Sequence, residues 1–150
     1  MSTVRKATTN DIAALSAMGE KFLAYSEYGS IAPVAGADLG RGIARFVEGG
    51  FAHVAEIDGK VVGALLGVMS PVWFAPEIKY AIEIAWWVNE EARGGRAAFR
   101  LLNAFEAWAR DNGARAVVLS DLVINGETPV GRVVERLGYR MVERSHLKEI

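Results

Sequence analysis

The chain has 150 residues, 51% of them hydrophobic and 23% charged, with a formal net charge of -1. That is an ordinary globular composition, sufficient for one domain over 1–150, and it lacks the basic excess that a nucleic-acid partner would require. Cysteine is absent and only His53 and His146 are present, which removes disulfides, a thiolate nucleophile and the usual zinc centres, so no metal is expected. The opening MSTVRKATTND turns polar at once, and no apolar run nears the roughly 18 residues of a membrane span; a cytoplasmic protein away from membranes is expected.

Thr3 to Ala7 alternates as a short strand with one buried face. Thr8, Thr9 and Asn10-Asp11 form a helix start, and Ile12, Leu15, Met18 and Phe22 recur at helical spacing to about Tyr25. Tyr28 to Gly40 reads as irregular and leads to a second helix through Ile43 and Phe46, ended by Gly49-Gly50. Phe51 to Ile57 and Val61 to Met69, joined by Asp58-Gly59, make a hairpin. Ser70 to Lys79 reads as a long connection, followed by Tyr80 to Val88, apolar on both faces except for Glu83 and therefore central in its sheet.

A junction, Asn89 to Gly95, opens a helix with Ala98, Leu101, Leu102, Phe105, Trp108 and Ala109 on one stripe, stopped by Asn112-Gly113. Ala116 to Leu119 is a short strand. Thr128-Pro129 opens a helix with Val130, Val133, Val134 and Leu137 inward, and Tyr139 to Leu147 reads as a final strand. The order predicts an α/β fold: one mixed sheet with helices on both faces.

Arg93-Gly94-Gly95-Arg96-Ala97-Ala98 lies where a buried strand gives way to an amphipathic helix. Small residues there expose the N–H groups of the first turn, and the two arginines suit an anion such as a phosphate. The plainer alternative is a glycine turn with solvated arginines. Neither G-x-x-x-x-G-K-[ST], nor G-x-G-x-x-G after the first strand, nor G-x-S-x-G occurs.

Here the chain resembles the GNAT superfamily of N-acetyltransferases. The likeness runs over nearly the whole chain and rests on VNEEARGGRAAFRLL and ETPVGRVVERLGY. Members carry Q/R-x-x-G-x-G/A after the fourth strand, wrapping the coenzyme A pyrophosphate with backbone amides. Arg93 and Ala98 fill the first and last places of that pattern, and Arg96 stands in place of a glycine. Arg-Gly-x-Arg-Ala loops are similar to those of small acetyltransferases encoded by phages and prophages. Members also carry a tyrosine, four residues before the glycine of the last helix, as acid toward the departing thiolate; this chain has Val134, so that role is not transferred.

The resemblance implies a GNAT-type acyl-CoA N-acyltransferase fold, with a mostly antiparallel sheet, and acetyl-CoA as co-substrate. It implies a coenzyme site over Arg93, Gly94, Gly95, Arg96, Ala97, Ala98 and Phe99. The pantetheine would lie along the fourth strand, with a backbone N–H near Trp87 or Val88 on the thioester carbonyl. Direct attack by an amine needs a base at neutral pH, and Glu83 is the candidate within that strand. Its alternative role is an edge or salt-bridged carboxylate, with Lys79 or Arg115. Water, Ser120 or Tyr139 remain as donors to the thiolate.

Trp86 and Trp87 should face opposite sides as core residues. Trp73 and Phe74 would wall the acceptor pocket or form a contact between two copies in a homodimer. Tyr25 and Tyr28 are either acceptor contacts or surface residues. The expected acceptor is a small-molecule or peptide amine of unspecified identity. The alternatives on the same fold are a non-catalytic acyl-CoA-binding regulatory module and an assembly protein.

Overall fold

Asp58 and Gly59 both take positive φ, 52° and 75°, and this two-residue turn joins β2 (Phe51–Ile57) to β3 (Lys60–Val72). The computed structural model describes residues 1–32 and 36–150; Pro33, Val34 and Ala35, within the stretch expected to be irregular, lie outside them. Before the hairpin come β1 (Ser2–Lys6), α1 (Ile12–Tyr25) and α2 (Gly36–Gly49). After it come β4 (Ala75–Val88), α3 (Ala97–Asp111), β5 (Ala116–Val118) and α4 (Gly131–Arg136). The sheet runs β1-β2-β3-β4-β5, antiparallel except for the parallel β4–β5 pair.

α1 begins as its sequence dictates. The Asp11 carboxylate accepts the Thr8 N–H at 2.7 Å and the Arg5 guanidinium at 2.8 and 2.9 Å, tying the helix start to β1. One sheet face packs on α3 through Phe51, Leu65, Leu101 and Phe105. The other packs on α1 and α2 through Leu15, Met18, Ile43, Val54 and Leu66. Phe51, Phe105 and Trp108 form an aromatic cluster with ring centroids 5.0 to 5.8 Å apart.

Four expectations need correction. The stretch expected to be irregular as far as Gly40 already gives way to α2 at Gly36. Ser70 to Lys79 is not a long connection: β3 and β4 form one hairpin that turns at Trp73-Phe74, because the pairing continues to Val72 and Ala75. Tyr139 to Leu147 forms no strand. The segment pairs with neither β5 nor the open edge of β4, and Met141, Val142 and Leu147 stay exposed. In α4, Val134 is buried but Val133 and Leu137 are exposed, since a helix of six residues can turn little of its surface inward.

Candidate active site

β4 pairs with β5 at Tyr80, Ala81 and Ile82 and then runs on to Val88 with no described strand on that side. At the point of parting a bulge intervenes: Leu66 faces Ala85 and Gly67 faces Glu83, so Ile84 is the extra residue. The bulge leaves Ile84 45% exposed in a strand otherwise well covered from Ala81 on.

Register decides which backbone groups of β4 are free. The Asn89 N–H donates to the Val62 carbonyl at 2.8 Å, so Val62 and Asn89 are a hydrogen-bonded pair and Ala64 and Trp87 are the next. Trp87 therefore turns its N–H toward β3, whereas Val88 turns its N–H to the open edge. Of the two residues expected to offer an N–H there, Val88 is the one with the geometry to do so. Its carbonyl, on the same side, accepts the Arg93 Nε at 2.9 Å.

The loop after β4 makes a short 3-10 turn, Glu90–Ala92, and reaches α3 through Gly94, whose φ is +82°. Only glycine takes that conformation without strain, and nothing lies within 4 Å of where a Cβ would stand. Among the described residues, no acceptor is bonded to the N–H groups of Gly94, Gly95, Arg96, Ala97, Ala98 and Phe99. A run of free N–H donors at the start of a 15-residue helix has the geometry and the dipole that attract anions. Gly94, Gly95 and Arg96 are exposed above it, Ala97 is buried beneath, Ala98 is half-buried and Phe99 is exposed. The expected loop thus comes together as one surface.

Arg93 departs from the expectation of an arginine extended toward a phosphate. Besides the Val88 carbonyl, its guanidinium lies 4.8 Å from the Trp87 ring centroid and 5.7 Å from that of Tyr25. Glu90 is 3.9 Å away. The Tyr25 hydroxyl donates to Glu90, which pushes its pKa up by favouring the protonated phenol, and its ring packs edge-on to Trp87 at 5.4 Å. Tyr25, Trp87, Glu90 and Arg93 thus tie the end of α1 to the loop. Tyr25 and Glu90 at this position are legible only from tertiary contact. Tyr28 lies apart, exposed in the next turn.

Glu83 is 5% exposed, and its Oε2 accepts the Ser120 N–H at 3.0 Å, where β5 leaves β4. Burial pushes its pKa up to about 7, opposed by that single hydrogen bond. It has no ion pair with Lys79 or Arg115 among the described residues. Its paired residue Gly67 points at α3, since a Cβ there would meet Phe105 at 2.5 Å. Glu83 therefore faces the α3 side of the sheet.

The opposite face holds a feature absent from the sequence reading. A cleft of about 300 Å³ opens between α1, α2, β3 and β4, lined by Met18, Phe22, Leu39, Phe46, Ile84 and Trp87 among others. Its helical walls were legible as an inward stripe, but the opening was not. Trp73 and Phe74 are not part of it: they stand 89% and 68% exposed at the hairpin tip, packed edge-to-face on each other. Tyr139 donates to Glu106 of α3 at 2.7 Å, and burial and that partner push its pKa up. His53 stacks on Phe51 at 4.1 Å, and burial lowers its pKa. Among the described residues no cluster of potential metal ligands occurs, and no helix is long and apolar enough to cross a membrane.

The acetyltransferase (GNAT) family model matches residues 23–139. The chain belongs to this family. Solved structures share the fold at low identity. One is a Trypanosoma brucei acetyltransferase, 17% identical with TM-score 0.76, each chain covered in full. Another is a transcriptional regulator from Bacillus halodurans, 18% identical with TM-score 0.78, also fully covered on both sides. A third is a predicted acetyltransferase with acetyl-CoA from Clostridium acetobutylicum, 16% identical with TM-score 0.74, covering 99% of this chain and 96% of that one. No curated protein matches in sequence.

Proposed function

We propose that the chain is an acetyl-CoA-dependent N-acetyltransferase that moves an acetyl group directly to a primary amine. The observation that carries this is the run of free N–H groups from Gly94 to Phe99 beside the open edge of β4. These groups fit a diphosphate: the donors are aligned, Gly94 leaves open space above them, and Arg96 is exposed at their rim. The Val88 N–H, free of β3, would hold the thioester carbonyl. The coenzyme, when bound, supplies an acyl thioester activated toward amines.

Arg93 holds the loop against Val88 and Trp87, while Arg96 supplies charge to the phosphates. Glu83 is the proposed base, its pKa of about 7 placing it half ionised at neutral pH. Its Oε1 takes the ammonium proton through water along the gap between β4 and β5. Because Glu83 faces α3, the proton must travel round the β4 edge from the cleft side.

One observation favours a second reading, a non-catalytic acyl-CoA-binding module: Val134 is buried aliphatic and the Tyr139 hydroxyl is taken by Glu106, so neither supplies an acid. Calorimetric titration with acetyl-CoA, followed by free-thiol release with a mixture of primary amines, tests both. Binding with amine-dependent thiol release is expected. Binding without release leaves the second reading, and absence of binding overturns both.

A further inference from the structure

The cleft between α1, α2, β3 and β4 lies apart from the Gly94 to Phe99 loop assigned above to the coenzyme, yet two of its walls, Ile84 and Trp87, belong to the open stretch of β4. Its chemistry is one-sided. Among the described residues lining it, Asp38 is the one charged group, and the rest are aliphatic, aromatic or glycine. Ile84 is held out into this space by the bulge and stays 45% exposed among the described residues, although a well-placed apolar side chain in a strand would normally be covered. Phe22 and Tyr25 both pack edge-on to Trp87, at 6.5 and 5.4 Å, giving the β4 end an aromatic wall.

We propose that this cleft takes the body of the acceptor, and that the acceptor is an alkyl or aralkyl primary amine without an anionic group. This rests on the acetyltransferase reading above. A volume of about 300 Å³ holds roughly ten groups of water size, at about 30 Å³ each. An amino sugar or a polyamine would bring hydroxyl or ammonium groups into a wall that offers them no partner. The one charge there, Asp38, is more than half exposed and already paired with Arg41, so the described walls hold no free charge to meet a carboxylate, a phosphate or a second ammonium. An apolar body seated between Phe22, Phe46 and Ile84 leaves its amine nitrogen at β4, beside the edge assigned to the thioester.

The test is a homologous series, ethylamine, butylamine, hexylamine and phenethylamine, set against putrescine and glucosamine. Thiol release from acetyl-CoA gives kcat/KM, and calorimetry of each amine without coenzyme gives binding. Each added methylene is expected to raise kcat/KM and affinity about fourfold, levelling near ten heavy atoms. Putrescine and glucosamine are expected at least tenfold below hexylamine. Gly42→Leu adds a side chain on the cleft wall at a helical position where no atom lies within 4 Å of a Cβ. It is expected to lower kcat/KM for hexylamine at least tenfold and for ethylamine under threefold. Ile84→Glu is expected to move preference toward putrescine.

A flat series, or a preference for glucosamine or putrescine in the unaltered chain, overturns the proposal. Chain-length-dependent binding with no thiol release supports the cleft as an apolar-amine site while overturning the transferase reading.

Discussion

The Glu83 carboxylate accepts the Ser120 N–H at 3.0 Å where β5 turns away from β4, so one buried acid both ends a strand pair and sits at the mouth of the gap. The base role proposed for it and its strand-ending role separate by pH. As a base it must be ionised, so kcat/KM should fall on the acid side with a limb near pH 7. Glu83→Gln keeps the shape and removes the limb, with a loss of 100-fold or more in kcat. A strand-ending role alone would leave the limb in place.

The same group sets a stability trend. Its folded pKa, about 7, lies above the ordinary 4.5, so the native state binds the proton more tightly than the unfolded chain. Stability is therefore full below pH 4.5 and declines as pH rises toward 7, by roughly 3 kcal/mol. Urea unfolding across pH 4 to 8 should show this slope in the native chain, and Glu83→Gln should abolish it.

Asp11 gives the opposite sign. Arg5 and the Thr8 N–H hold its pKa down to about 2, against an ordinary 3.8. The stability it contributes is present above pH 3.8 and is lost as pH falls through about 2. Because Arg5 is 40% exposed and screened by solvent, roughly 1 to 2 kcal/mol is expected. Asp11→Asn should flatten acid unfolding below pH 4 and lower the midpoint at pH 7.

Gly94 and Gly95 should respond differently to a methyl group. Gly94→Ala forces a φ of +82° on alanine, costing about 1 kcal/mol or more, and should weaken acetyl-CoA binding about tenfold by calorimetry. Gly95 has ordinary φ and its Cβ would meet the Ala92 carbonyl at 3.5 Å, a normal contact. Gly95→Ala should leave the unfolding free energy within about 0.5 kcal/mol.

Trp73 and Phe74 touch neither the loop nor the cleft. The double change to serine should leave kcat/KM unchanged and thermal stability within about 0.5 kcal/mol. A rate loss would put the hairpin tip back at the acceptor site.

Much of the frame was legible because it is local. The Asp58-Gly59 turn, the Thr8–Asp11 start of α1 and the Arg93 to Phe99 loop each follow from residues a few positions apart, whose preferred dihedrals and caps act without the rest of the chain. The last strand failed for the opposite reason: alternation at Tyr139 to Leu147 states a preference, but a strand exists only where the chain pairs with another, and this segment pairs with none.

The amino-acid order thus determined the family, the order of helices and strands up to β5, and the glycine loop that opens α3, since these rest on periodicity and short-range stereochemistry. Tertiary structure alone decided that Val88 rather than Trp87 faces the open edge, that Glu83 looks toward α3, that Arg93 folds onto Trp87, and that an apolar cleft lies behind Ile84. The physical reason is the bulge at Ile84. One unpaired residue reverses which side chains share a face, and its position depends on how β3 and β4 meet rather than on either strand's own sequence.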